Sequence, residues 1–265
     1  MVYTADREIR DIVAVRTPTT IYHMAYEPSF KTATLHFWTN CNLKCRGCFC
    51  RYEKLYWNLY DDPQSQLEGK RPVDIPEKFL TVGEVIGLLK ELEVNTVLFM
   101  GVEPTIDPSL PLIARLMHQE FNSYNILMTN GQKMVNLIDI DLVLFSLKAF
   151  TEEKHITYTG KSNRQILDNF VRIYKSGKKL QAITLAIPEL VDADEVGSIA
   201  RFIASVDDNI TLTVHAYFSV PNCSYQSATT DEVEEAVKEA RKYLKNVPFR
   251  DLSFERVGEP AVQLV

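Results

Sequence analysis

The sequence predicts an α/β fold, a single-domain (β/α)6 partial TIM barrel, on three observations. Strand-like and helical runs alternate six times between residues 32 and 244. The strand-like runs are short and rich in β-branched and apolar residues, as buried parallel strands are. No long-period repeat or low-complexity segment interrupts them. Alternation at this spacing implies parallel strands joined by right-handed crossovers. Six units stop short of the eight that close a full barrel.

The first strand is TATLHFWT (32–39). TVGEVIGLLKELE (81–93) then sets Val82, Val85, Ile86, Leu89 and Leu92 at helical spacing. TVLFMG (96–101) is a buried strand, followed by the helix SLPLIARLMHQEF (109–121). YNILMTNG (124–131) and LVLFSLK (142–148) are the third and fourth strands. Ser162 is the expected cap of the helix NRQILDNFVRIYKSG, with Gly177 at its C-terminal end. KLQAITLAI (179–187) and ITLTVHAYF (210–218) are the last two strands, with DADEVGSIARFIASV (192–206) as the helix between them. TDEVEEAVKEARKYL (230–244) is the final helix, with Thr230 as its expected N-cap. These elements make a barrel over 32–248, preceded by an N-terminal extension, 1–31, with room for a small hairpin. A C-terminal tail, 249–265, follows. The long connection 51–80 carries Tyr52, Tyr56, Trp57, Tyr60 and Phe79, and reads equally as a lid or as a short aromatic helix packed on the barrel.

Lys and Arg total 29 against 35 Asp and Glu, a formal charge of −6. That balance argues against a nucleic-acid partner, and the short basic run KSGKK (175–179) reads as a solvated turn. No apolar run reaches the roughly 20 residues of a membrane helix, and the N-terminus lacks a signal-peptide apolar stretch. The expected location is therefore the cytoplasm, without membrane attachment, where thiols stay reduced.

Four of the five cysteines fall in CNLKCRGCFC (41–50). Disulfides, a structural zinc site and an iron–sulfur cluster are the physical options. Reducing surroundings disfavour disulfides. Zinc wants a fourth N or S ligand, usually from a second paired knuckle. Cys50, Cys223 or His36 could supply one, but no second C-x2-C or H-x3-H pair is present. Cys41, Cys45 and Cys48 are spaced C-x3-C-x2-C on one loop, enough to hold three irons of a [4Fe–4S] cluster and leave the fourth open.

A C-x3-C-x2-C loop after the first strand of a six-unit partial barrel resembles the radical S-adenosylmethionine (SAM) superfamily. The second strand ends in MGVEPTIDP (100–108), similar to that family's Gly-Gly-Glu-Pro motif, with Val102 in place of the second glycine. The third ends in MTNG (128–131). The fourth runs into LFSLKAFTEEKHITYTGKSNRQILDN (144–169), which resembles the activating enzymes of glycyl radical enzymes.

The resemblance implies a [4Fe–4S] cluster on Cys41, Cys45 and Cys48 that reductively cleaves SAM to methionine and a 5′-deoxyadenosyl radical. Gly101, Val102 and Glu103 would border the SAM amino group, and Thr129, Asn130, Ser146 and Lys148 would line the rest of its pocket. Ile187 and Phe49 would meet the adenine. Phe49, or the Tyr- and Trp-rich loop 51–60, enters because the aromatic usual before the last cysteine is Gly47 here. His215, in the sixth strand, reads as a satisfied core histidine or, since its strand faces the same cavity, as part of the SAM-binding set. Tyr217 and Cys223 would border the substrate space, Cys223 reading first as a loop cysteine, and His155 reads as a surface residue or a local hydrogen-bonder. Met128 and Ser146 stand where the activases carry cation-binding aspartates. A flavodoxin or ferredoxin-type electron donor is implied, together with a protein substrate, a glycyl radical enzyme among them, or a small-molecule substrate. The reading from another class is a noncatalytic metal-binding module.

Overall fold

The computed structural model describes residues 15–51, 59, 74–251, 253 and 257–265. Its nine strands are β1 (Ile21–Glu27), β2 (Thr32–Phe37), β3 (Thr96–Gly101), β4 (Tyr124–Thr129), β5 (Leu142–Ser146), β6 (Lys179–Ala186), β7 (Leu212–Ala216), β8 (Phe249–Arg250) and β9 (Val262–Gln263). They form one sheet in the order β8-β7-β6-β5-β4-β3-β2-β1-β9. Every pair from β2 to β8 is parallel. β1 is antiparallel to both β2 and β9. The six expected strands are β2 to β7, and they stand side by side in chain order.

Two segments outside the expected alternation join the sheet. The extension contributes β1, and the tail contributes both edges, β8 beside β7 and β9 beside β1. Edge strands of two residues leave little unpaired backbone to recruit another chain. The aromatic stretch 52–58 and most of the connection that follows lie outside the described residues.

The helices are α1 (Val82–Leu89), α2 (Leu110–Phe121), α3 (Glu152–Thr159), α4 (Arg164–Lys175), α5 (Ala193–Val206) and α6 (Thr230–Ala240). α4 buries Ile166, Asn169, Phe170 and Ile173, the i, i+3, i+4, i+7 stripe of a one-faced helix. Phe170 meets Phe145 of β5 edge-on at 5.1 Å between ring centroids. Burying an apolar side chain of that size contributes roughly 1.5–3 kcal/mol. Gly177 takes the left-handed conformation after α4 at φ 78°. The caps differ from expectation by one residue. Thr229, not Thr230, caps α6 in a reciprocal capping box with Glu232. Ser162 accepts the amide of Arg164 at 3.2 Å, while Asn163 occupies the N-cap position of α4.

The two sheet faces differ in burial. Val143 and Phe145 of β5, and Leu212, Val214 and Ala216 of β7, are buried beneath the helices. Their neighbours Leu144, Ser146, Thr213 and His215 lie on the half-buried face. The strand period of two places Lys148, just past β5, on that same open face.

Candidate active site

The cysteine loop is seated on the C-terminus of α3. A helix leaves its last carbonyls without intrahelical partners. Here Thr159 O accepts the amide of Lys44 and Tyr158 O accepts that of Arg46, each at 2.8 Å. Gly160 turns the chain away at φ 76°, a conformation open to glycine. His155 fixes that turn from below. It is fully buried rather than at the surface, and its Nδ1 hydrogen-bonds Lys161 O at 2.6 Å. Burial holds its pKa below the ordinary histidine range, with the Lys148 charge adding to the effect. The HITYTGKSN segment is thus the platform on which the cysteine loop rests.

The sulfurs lie half-buried above the strand ends. Cys41 Sγ accepts the Leu43 amide at 3.4 Å and Asn130 Nδ2 at 3.6 Å. Burial pushes the Cys45 thiol up to about 12 and raises that of Cys41, while the nearby Lys148 charge opposes both. Thiols so raised are protonated near neutral pH, so metal must displace their protons to bind. Cys50 is hydrogen-bonded to Cys48 and lies 3.6 Å from the Gly101 carbonyl oxygen. Among the described residues no three His, Cys, Asp or Glu side chains converge on a single ion. Sulfur ligands that surround a multi-iron cluster sit farther apart than those of one tetrahedral ion. Three clustered thiols with N–H donors on one sulfur fit iron–sulfur ligation, in which such donors tune the cluster.

At the ends of β3 and β4 a buried carboxylate ties the strands together. Glu103 Oε1 accepts Thr105 N at 3.2 Å, Thr105 Oγ1 at 2.6 Å and Thr129 Oγ1 at 2.7 Å. Its Oε2 accepts Asn130 N at 2.8 Å. Among the described residues, only uncharged groups donate to this carboxylate. Thr129 is turned onto Glu103 rather than into a pocket. Asn130 spans from Glu103 to the sulfur of Cys41, and donates to Asn42 Oδ1 at 2.8 Å. Gly101 has φ 114°, and a Cβ there would sit 2.5 Å from Phe37 O. Its glycine is therefore demanded by the neighbouring strand, and Val102 N donates to the same Phe37 O at 2.9 Å.

The ends of β5 to β7 are less tied. No described residue hydrogen-bonds the side chain of Lys148 or His215. Burial holds His215 down to about 4, helped by the charges of Arg250 and Lys148. Ile187 follows β6 and closes a turn with Val191. Its side chain is packed in the core, and its N–H and C=O both bond Val191. The space an aromatic at position 47 would take is filled from elsewhere. Gly47 has φ 74°, and a Cβ there would strike the Tyr217 hydroxyl and sit 2.9 Å from Cys223 Sγ. Tyr217 Oη lies within reach of Gly47 O at 3.4 Å and of Cys223 Sγ at 3.5 Å. Tyr217, carried in from the end of β7, thus occupies the space beside Gly47. Phe49 begins a one-turn helix and does not line the adjoining cavity. That cavity, of about 260 Å³, is bounded by Lys44, Cys45, Gly47, Cys48, Cys223 and Ser224 among others.

The parallel-dominated α/β sheet gathers cysteines, a buried carboxylate and a lysine at the carboxyl ends of its strands, the side on which open α/β sheets bind ligands. Residues 35–203 match the Radical SAM superfamily, and the chain belongs to that family. It is 30% identical over 223 residues to a Methanocaldococcus jannaschii protein proposed to be a glycyl-radical enzyme activating enzyme, covering 82% of this chain and 79% of that one. A domain of a pyruvate-formate lyase-activating enzyme from Bacteroides vulgatus shares the fold at TM-score 0.50 and 15% identity, over 58% of this chain and 98% of that one. Streptococcus suis SuiB bound to SAM shares it at TM-score 0.55 and 13% identity, over 94% of this chain and 51% of that one. The protein is a radical SAM enzyme whose cofactors are a [4Fe–4S] cluster and SAM. No described helix is long and apolar enough to cross a membrane.

Proposed function

We propose that this enzyme activates a glycyl radical enzyme by removing one hydrogen atom from a backbone glycine. The bound cluster and SAM supply a single-electron cleavage that yields methionine and a 5′-deoxyadenosyl radical, which takes that hydrogen. Cys41, Cys45 and Cys48 hold the iron, with the α3 terminus fixing their loop. The Glu103 carboxylate and Gly101 carbonyl accept the SAM amino group, and Lys148 pairs with its carboxylate. Ser146 borders the same space. Tyr217, rather than Phe49, packs at the adenine side of the loop. The exposed Lys44 and Arg46 flank Cys45 and suit docking of an acidic flavodoxin or ferredoxin-type donor.

The observation that carries the protein-substrate reading is the 30% identity, over 82% of this chain, to the Methanocaldococcus jannaschii protein named for activating a glycyl radical enzyme. The test is anaerobic turnover with dithionite, SAM and a glycyl radical enzyme whose glycines carry α-deuterium. Deuterium recovered in 5′-deoxyadenosine supports the proposal. 5′-Deoxyadenosine formed without deuterium overturns it while leaving SAM cleavage in place.

A further inference from the structure

Asn130 is buried just past the end of β4, and three of its polar atoms have set partners. Its N–H donates to Glu103 Oε2 at 2.8 Å. Its Oδ1 accepts the Gln132 amide at 2.9 Å. A backbone amide can only donate, so that bond fixes which end of the side-chain amide is oxygen. The Nδ2 end therefore faces the cysteine loop, 2.8 Å from Asn42 Oδ1 and 3.6 Å from Cys41 Sγ. An NH2 group carries two hydrogens, one for each of these acceptors. The Leu43 amide, 3.4 Å from the same sulfur, is backbone and comes with the loop. Asn130 is brought to it by the fold, from 89 residues away in the chain.

We propose that Asn130 raises the reduction potential of the cluster by donating a hydrogen bond to the sulfur of Cys41. The proposal rests on the reading that Cys41 is one of the three iron ligands. A thiol is a weak acceptor, whereas an iron-bound thiolate is anionic and a stronger one. Reduction adds one electron, and part of its charge falls on the ligand sulfurs. An N–H dipole aimed at one of them stabilises the reduced form more than the oxidised form. Burial enlarges the effect, because little water screens the dipole. Asn130 acts through Cys41, as a positioning residue whose own place is set by Glu103 and Gln132. The bond eases delivery of the electron from a low-potential donor, and it leaves the reduced cluster a correspondingly weaker reductant.

The test is a redox titration of the reconstituted, SAM-free full chain, with the reduced cluster followed by electron paramagnetic resonance. Asn130→Leu removes the donor, and Asn130→Asp removes it while keeping the Oδ1 acceptor for Gln132. In N130L the ratio of reduced to oxidised cluster at a fixed solution potential is expected to fall about tenfold, equal to a potential lower by about 59 mV for one electron. N130D is expected to fall at least as far, because a carboxylate then faces the sulfur. Thr129→Val breaks the same network one residue earlier, at its bond to Glu103, without touching the sulfur, and is expected to keep the wild-type potential. Unchanged potentials in N130L and N130D overturn the proposal, as does an equal fall in T129V, which would make the effect one of general loosening. Should both Asn130 variants fail to hold iron, wild type with 15N in its asparagine side-chain amides decides. Pulsed resonance of its reduced cluster showing a 15N coupling supports the proposal, and its absence overturns it. Wild type that assembles fewer than four irons overturns the cluster reading and this proposal with it.

Discussion

The ends of β3 and β4 and the ends of β5 and β7 lie in one sheet but differ in how their polar groups are used. At β3 and β4, Glu103, Thr105, Thr129 and Asn130 bond one another and are buried. At β5 and β7, Lys148 and His215 make no hydrogen bond to a described residue, and the nearby sulfurs carry raised thiol pKa values. The first half is assembled by folding; on the function proposed above, the second is completed by cofactors. Preorganising one wall leaves only the mobile partners to be ordered on binding, which lowers the entropic cost of association.

The sharpest way to break this comparison is Glu103→Ala. It strips the acceptor from four buried donors, and each unsatisfied group costs about 1–3 kcal/mol. Chemical denaturation should show the largest loss of stability of any site variant, and a nearly unchanged midpoint would dissolve the distinction. Gly47→Ala ranks next. It forces a side chain into left-handed backbone and against the Tyr217 hydroxyl, a loss of about 2–4 kcal/mol. Adding Tyr217→Ala should recover the steric part and leave the backbone part, read from thermal midpoints of the pair.

Acidity separates the walls more gently. Burial holds His36 of β2 neutral down to about 3, with His23 contributing, and His215 down to about 4. Both lie below their unfolded value near 6.5, so the unfolded chain binds more protons between those limits. Stability is therefore complete above pH 6.5 and falls as pH drops toward 3, by up to about 1.4 kcal/mol per pH unit for each group. His36→Gln should flatten the midpoint–pH curve in that window. Lys148→Ala should have the smallest effect on stability, within about 0.5 kcal/mol. It should nonetheless weaken SAM binding about ten- to a hundredfold, since hydrogen bonds to charged groups contribute roughly 1.5–3 kcal/mol. Calorimetric titration of the reconstituted enzyme measures that loss.

What the sequence disclosed follows the range of each interaction. C-x3-C-x2-C and six strand–helix alternations are local patterns and stand in the chain as read. The Thr-x-x-Glu box of Thr229 and Glu232 was equally available, and reading it would have moved the α6 cap by one residue. The Glu103 network was not legible, because its donors at 129 and 130 meet it only when β3 and β4 align. The contact that fills the space at Gly47 was not legible either, because Tyr217 is 170 residues away. β8 and β9, two residues each, are too short to carry a period. His155 read as a surface residue or a local hydrogen-bonder because its helix is polar; it is the local hydrogen-bonder, and only tertiary packing buries it.

Hydrogen exchange on the chain, first iron-free and then reconstituted with cluster and SAM, tests the division between the two halves most directly. The amides of Thr105 and Asn130, both bonded to Glu103, should be protected in both states, as should those of Lys44 and Arg46 on the α3 carbonyls, while the amides of Gly47 and Cys50 gain protection only on reconstitution. Equal protection of the Gly47 and Cys50 amides without cofactors, or amides at 105 and 130 that become protected only with them, would contradict the account.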